Sequence, residues 1–190
     1  MEQLRRKKSL IPTNSRRRPG RLYKTPKSKT EPVESKYFNI ETKHKEKWIP
    51  PRSPYCLIQE DLYSDPWQLL IATIFLTKTA ASKAIPQVHK FLTKWSTPES
   101  VIDADYDEIL AFLAPLGLGN TRTEAILRFS HEYLETNWKY PIELFGIGKY
   151  GNDSYRIFCI NEWRDVRPDD IPLTMYRNWL IENEKQLGLK

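Results

Sequence analysis

From Ser53 onward, apolar residues recur at the three-to-four-residue period of an α-helix, and no stretch alternates convincingly as a half-buried strand would. Asp65 and Pro66 make an N-cap and first-turn pair. After them Trp67, Leu70, Ile71, Ile74 and Phe75 fall at i, i+3, i+4, i+7 and i+8, which predicts one buried helix. A second is expected over about 80–95, with Ile85, Val88, Phe91 and Leu92 facing inward and Pro86 either delaying its start or kinking it. Thr97 and Pro98 cap a short third. Residues 105–114, with Ile109, Leu110 and Leu113 inward, form another that Pro115 and Gly117 end. Thr121 and Glu124 read as a capping box opening a longer helix, whose inner face carries Ile126, Phe129, Tyr133 and Leu134. Short helices around 142–144 and 153–161, and a last one over about 173–186, complete the pattern. The expected fold class is all-α, with short connections.

Composition bounds this picture. The 190 residues, 39% hydrophobic with six Trp, can build one core and leave little for a second domain. The longest nearly apolar run, 69–76, is far shorter than the roughly 20 residues a membrane helix needs, and no signal-peptide pattern opens the chain. Cys56 and Cys159 cannot supply a disulfide framework, a four-thiolate zinc site or a four-cysteine iron–sulfur cluster. His44, His89 and His131 show no metal-ligand spacing. The expectation is a soluble intracellular protein, not membrane-bound, with no required cofactor.

Charge changes the picture more. The formal net charge is +6, but residues 1–30 hold eleven Lys or Arg against one acid, a net +10, which leaves the remainder at −4. Seven of the fourteen prolines lie before residue 55, and apolar residues there are sparse. Such a segment cannot bury enough surface to offset its ordering entropy, so 1–45 are expected to form a disordered basic arm ahead of a folded domain over 46–190. A polybasic arm can contact nucleic acid by counterion release, act as a nuclear import signal or lie on an anionic membrane. The dense Arg-Arg-Lys-Lys and Arg-Arg-Arg-Pro-Gly-Arg clusters, without lipidation signals nearby, favour nucleic acid or the nucleus.

Three loops carry candidate chemistry. In the run Leu144-Phe145-Gly146-Ile147-Gly148-Lys149-Tyr150-Gly151, two glycines flank one apolar anchor. They permit a positive-φ turn and leave backbone N–H groups open at a helix N-terminus, which suits a phosphate; a plain helix–helix turn is the alternative. About twenty residues on, Asp169 and Asp170 follow Pro168, and either can cap a helix or face a cleft. In Gly117-Leu118-Gly119, Leu118 is held between glycines, as a wedge for a base stack or as the contact of a C-cap.

Taken together, the Leu-x-Gly-Ile-Gly-x-Tyr hairpin, the acid downstream and the helical frame resemble the helix-hairpin-helix DNA glycosylase superfamily. The runs Asp65-Pro66-Trp67, 69–76, Pro115-Leu116-Gly117-Leu118 and 138–163 are most similar to the mismatch glycosylase branch whose members carry a methyl-CpG-binding domain. The resemblance covers about 48–190 and implies removal of thymine or uracil mispaired with guanine in double-stranded DNA. It implies Asp170 as the catalytic carboxylate, with Asp169 second, and Gln59 and Tyr150 in the pocket for the flipped base. Lys78 stands where the family has an Arg that fills the vacated gap, and Leu118 matches the wedge. Gly146, Ile147, Gly148 and Lys149 grip the backbone, and an alkali cation on hairpin carbonyls would be structural. Bifunctional relatives carry a nucleophilic Lys where Tyr150 stands, which implies a monofunctional enzyme, acting as a monomer in the nucleus. The chain departs from the pattern in lacking a methyl-CpG-binding domain, in Lys78, in Ile171-Pro172 after the acid and in Phe145. Two rival readings remain: a noncatalytic helix-hairpin-helix DNA-binding module, and an all-α nuclear protein-interaction domain.

Overall fold

The structure, a computed structural model, describes residues 48–189. The basic arm expected over 1–45 lies outside the described residues. The described residues form eight α-helices: α1 (Gln59–Leu62), α2 (Pro66–Leu76), α3 (Ala81–Lys94), α4 (Pro98–Ile102), α5 (Tyr106–Leu113), α6 (Gly119–Glu135), α7 (Lys149–Phe158) and α8 (Ile171–Asn183). Two 3₁₀ turns, Ala114–Leu116 and Pro141–Glu143, join them, and no strand occurs among the described residues.

The centre is α2, which packs against α1, α3, α6 and α7. Eight of its eleven residues are buried, from Trp67 to Phe75, because neighbours cover it on every side. A helix buried all round reads as a continuous apolar run rather than a stripe, which accounts for 69–76. Asp65 caps it as the sequence predicts, accepting the Gln68 N–H at 3.1 Å. Buried Trp67 donates its indole N–H to Ser130 Oγ on α6 at 3.1 Å, which fixes α2 against the longest of the described helices.

Several expectations change. Pro86 does not delay α3, which continues through it; it sits on the exposed face, where the carbonyl of Ser82, four residues earlier and also exposed, can bond water instead. The Thr121–Glu124 capping box does not form. Gly117 (φ 73°) and Leu118 (φ 55°) turn the chain sharply enough for α6 to begin at Gly119, which leaves Thr121 inside the helix. Helix α7 begins at Lys149 rather than near 153, directly after Gly148, and its last residue is Phe158, shortly before Asn161 adopts φ 62°. The chain around 142–144 is a 3₁₀ turn, and α1 has no apolar periodicity to announce it. Each shift comes from backbone conformation that side-chain period does not encode.

Candidate active site

The early start of α7 decides what its first two turns can present. Tyr150 and Ser154, one helical turn apart, both face Gln59: its amide Nε2 donates to Tyr150 Oη at 2.9 Å and to Ser154 Oγ at 3.3 Å. Gln59 is buried on the four-residue helix α1, too short to be stable alone. Its neighbour Glu60 holds the segment in place. That carboxylate, 1% exposed, accepts the Ser53 N–H at 2.8 Å, the Ser53 hydroxyl at 2.6 Å and the Leu57 N–H at 3.0 Å. Three donors satisfy a buried charge that would otherwise be costly. Tyr176 adds a bond to the Pro51 carbonyl at 2.8 Å. Ser154 and Glu60 went unnoticed in the sequence; the i, i+4 relation of Ser154 to Tyr150 is the one signal that could have found it.

Asp170 is the N-cap of α8, one carboxylate oxygen accepting the Leu173 N–H at 3.0 Å, with Pro172 in the first turn where its missing N–H costs nothing. The Ile171-Pro172 departure therefore fits a helix start. Capping uses one oxygen and sets the carboxylate at the positive end of the α8 dipole. Its charge also reaches Tyr150: burial first, and the Asp170 carboxylate second, push the phenol up to about 12, while the Gln59 bond acts the other way. Tyr150 is thus a neutral hydroxyl at physiological pH. Asp169 differs from its neighbour, with a side chain 83% exposed and 3.6 Å from Lys149.

The hairpin is pinned from beneath. Ile147 is buried and donates its N–H to the Leu144 carbonyl at 3.2 Å, while the Phe145 N–H goes to Glu132 on α6 at 2.7 Å. Phe145, one of the departures, lies under the Arg128 guanidinium at 4.0 Å, and Arg128 is itself bonded to Glu132 at 2.8 Å. Gly146, at φ 80°, approaches Ala125 so closely that a Cβ would stand 3.0 Å from the alanine methyl. Gly148 has nothing within 4 Å of such a Cβ and caps α7 with no side-chain bond, so the first amides of α7 stay open. Lys149 is not a loose surface cation. Its ammonium donates to Asp153 at 2.6 Å and to the Arg167 carbonyl, joining α7 to the loop that carries Asp170; the Asp153 bond holds its pKa above the usual lysine range.

Lys78 and Leu118 are both exposed and both at φ 55°, in the loops after α2 and before α6. Leu118 is 54% exposed, so it is not the buried contact of a helix C-cap. The structure brings Gln59, Tyr150 and Asp170 into one neighbourhood beside the hairpin; Lys78 and Leu118 belong to a second pair of loops. Among the described residues no group of three or more His, Cys, Asp or Glu gathers to hold a metal. A cation at the hairpin would have to rest on backbone carbonyls.

The described residues thus form an all-helical frame with a glycine hairpin before α7 and an acid, Asp170, capping α8. No protein-family model matches the chain. It is 37% identical over 133 residues to the methyl-CpG-binding domain protein 4-like protein of Arabidopsis thaliana, covering 70% of this chain and 30% of that one. It is 30% identical over 93 residues to the thymine/uracil-DNA glycosylase of Pyrobaculum aerophilum, covering 45% of this chain and 40% of that one. Among solved structures it resembles a thermostable thymine-DNA glycosylase, with TM-score 0.48, 23% identity, and 52% and 48% of the two chains covered. The chain spans less than half the length of either sequence relative. Its homologues are thus named methyl-CpG-binding domain protein 4-like protein, thymine/uracil-DNA glycosylase and thymine-DNA glycosylase.

Proposed function

We propose that the chain is a monofunctional DNA glycosylase that hydrolyses the N-glycosidic bond of thymine or uracil mispaired with guanine, in repair of deaminated 5-methylcytosine or cytosine. The observation that carries the reading is geometric: Lys149 ties the loop that ends in the Asp170 cap to α7, whose Tyr150 is bonded by Gln59. A mispaired pyrimidine costs less to extrude than a paired one, so selection begins with base flipping. The Gln59 amide nitrogen is committed to Tyr150 and Ser154, which leaves its Oε1 as an acceptor for the pyrimidine edge, and the neutral Tyr150 hydroxyl adds a donor for charge growing on the departing base. Bond cleavage leaves oxocarbenium character on the sugar, which a carboxylate on one face stabilises while orienting the attacking water. Asp170 suits that role better than Asp169, which is exposed and turned to Lys149.

Monofunctionality is supported by chemistry as well as resemblance. Tyr150 has no amine to form a Schiff base, and Lys149 is held by Asp153 and the Arg167 carbonyl. In this reading 46–190 form the glycosylase domain, which acts as a monomer. Gly146, Ile147, Gly148 and the open α7 amides hold the DNA backbone, with Lys149 at their edge, and an alkali cation on the hairpin carbonyls stiffens the turn. Lys78 and Leu118 enter the duplex. The arm over 1–45 adds nonspecific DNA affinity and directs the protein to the nucleus. No helix among the described residues is long and apolar enough to cross a membrane.

A labelled duplex with one T:G mismatch, incubated and then treated with alkali, tests the reading. Strand scission is expected with the wild-type protein and with Asp169→Asn. It should fall by at least about a hundredfold in Asp170→Asn, which keeps the α8 cap but loses the charge. Duplex binding without scission in the wild type would establish a noncatalytic module instead. Scission that survives Asp170→Asn would remove that residue from the chemistry.

A further inference from the structure

Arg122 lies on the first turn of α6 and is 4% exposed, yet no carboxylate pairs with it among the described residues. Its guanidinium is surrounded by neutral oxygens from two separate loops. One nitrogen, Nη1, donates to the Leu116 carbonyl at 3.0 Å and the Gly117 carbonyl at 2.6 Å; the other, Nη2, donates to the Thr77 carbonyl at 2.6 Å and to the Thr79 hydroxyl. Burial lowers its pKa, but a guanidinium stays charged at any physiological pH. The charge is balanced by the carbonyl ends of α2 and of the 114–116 turn, where helix dipoles are negative.

The acceptors flank two exposed residues. Thr77 and Thr79 bracket Lys78, and Leu116 and Gly117 immediately precede Leu118. Both Lys78 and Leu118 stand at φ 55°, a left-handed conformation that residues with a Cβ avoid unless the surroundings hold them in it. Lysine in place of Arg122 could not do the same work, because one ammonium lacks the planar fork that reaches four oxygens on two loops.

We infer that Arg122 is a positioning residue that locks the 77–79 and 116–118 loops together, so that Lys78 and Leu118 enter a duplex as one rigid unit. The inference rests on the glycosylase reading for the roles of those two side chains. Arg122 then acts on base extrusion and has no part in breaking the glycosidic bond.

The test compares wild type, Arg122→Lys, Leu118→Ala and the double variant, each checked for folding by circular dichroism. Two readouts are taken: the fluorescence rise of a 2-aminopurine beside a T:G mismatch on binding, and single-turnover excision from T:G duplex and from single-stranded uracil. Arg122→Lys is expected to lower the fluorescence rise and the duplex rate by about tenfold or more, since small misplacements are costly, and to leave the single-strand rate within about twofold. The double variant should lose no more than about twofold beyond Leu118→Ala, because both changes disable one unit. Equal loss on duplex and single strand, or losses that multiply in the double variant, would overturn the inference. If Arg122→Lys does not fold, Thr79→Val removes one acceptor and should show the same duplex-only defect; an unchanged duplex rate there counts against the clamp. The fluorescence arm does not need cleavage. A wild type that extrudes the base without cutting refutes the enzymatic reading alone, and a fluorescence rise unaltered in Arg122→Lys refutes the clamp alone.

Discussion

A methyl group added at Gly146 or at Gly148, two residues apart in the hairpin, should have opposite consequences. At Gly146 the backbone is at φ 80° and the new Cβ would stand 3.0 Å from the Ala125 Cβ and 3.6 Å from its Cα. The left-handed conformation alone costs an alanine about 1–2 kcal/mol, and the contact with α6 is tight enough to raise that toward 3. At about 2–4 °C per kcal/mol for a domain of this size, Gly146→Ala should lower Tm by roughly 3–10 °C. At Gly148 the backbone is at φ −97° and nothing lies within 4 Å of the Cβ position. The smaller preference for alanine at an N-cap is offset by the lower entropy of the unfolded chain, so Gly148→Ala should change stability by less than about 1 kcal/mol. Under the proposed function its effect falls on DNA binding: a methyl there keeps a phosphate from the open α7 amides, and losing a hydrogen bond to a charged group costs about 1.5–3 kcal/mol, or roughly 10- to 100-fold in duplex Kd. Thermal unfolding followed by circular dichroism and duplex binding followed by fluorescence anisotropy read the two effects separately. A Gly148→Ala protein that melts as early as Gly146→Ala, or that binds duplex as tightly as wild type, would refute the division between a packed glycine and an open one.

The pH dependence of stability follows from the buried tyrosines. Tyr150 is pushed from 10.0 up to about 12 by burial and Asp170, and burial raises Tyr133, Tyr155 and Tyr176 further. Each keeps its proton in the fold after the unfolded chain has lost it, so their contribution is complete below pH 10 and is lost as pH rises from 10 through 12 and beyond. Burial also raises the Cys159 thiol from 9.0, so denaturant midpoints should hold level from pH 7 to about 8.5, decline gently from there and fall steeply above 10, with phenolate absorbance at 295 nm rising along with unfolding; a decline already complete by pH 9 would contradict the assignment. Removing residues 1–30, with their net charge of +10, should weaken nonspecific duplex binding and flatten the slope of log Kd against log salt, and an unaltered slope would take the arm off the DNA.

Local rules written into the sequence determined much of the fold. Asp65-Pro66 and Thr97-Pro98 start helices where a side-chain acceptor precedes a residue with no N–H to satisfy, and α2 and α4 begin there. The apolar run 69–76 required burial on every side, and α2 is the centre of the packing. The hairpin glycines and the downstream acid were legible as a pair and pointed to the superfamily before any packing was known. Other features depend on distance in space. Gln59, Tyr150 and Ser154 meet across more than ninety residues of chain, and no periodicity in α1 marks the segment that Glu60 folds around itself. In sequence Asp169 and Asp170 were interchangeable cap candidates; the start of α8 gives one the cap and leaves the other in solvent beside Lys149. Nothing in the sequence set Arg122 apart. Its meaning came from carbonyls that two loops turn toward it, and backbone acceptors are the same at every residue, so a sequence cannot display them; only the tertiary fold decides which of them meet.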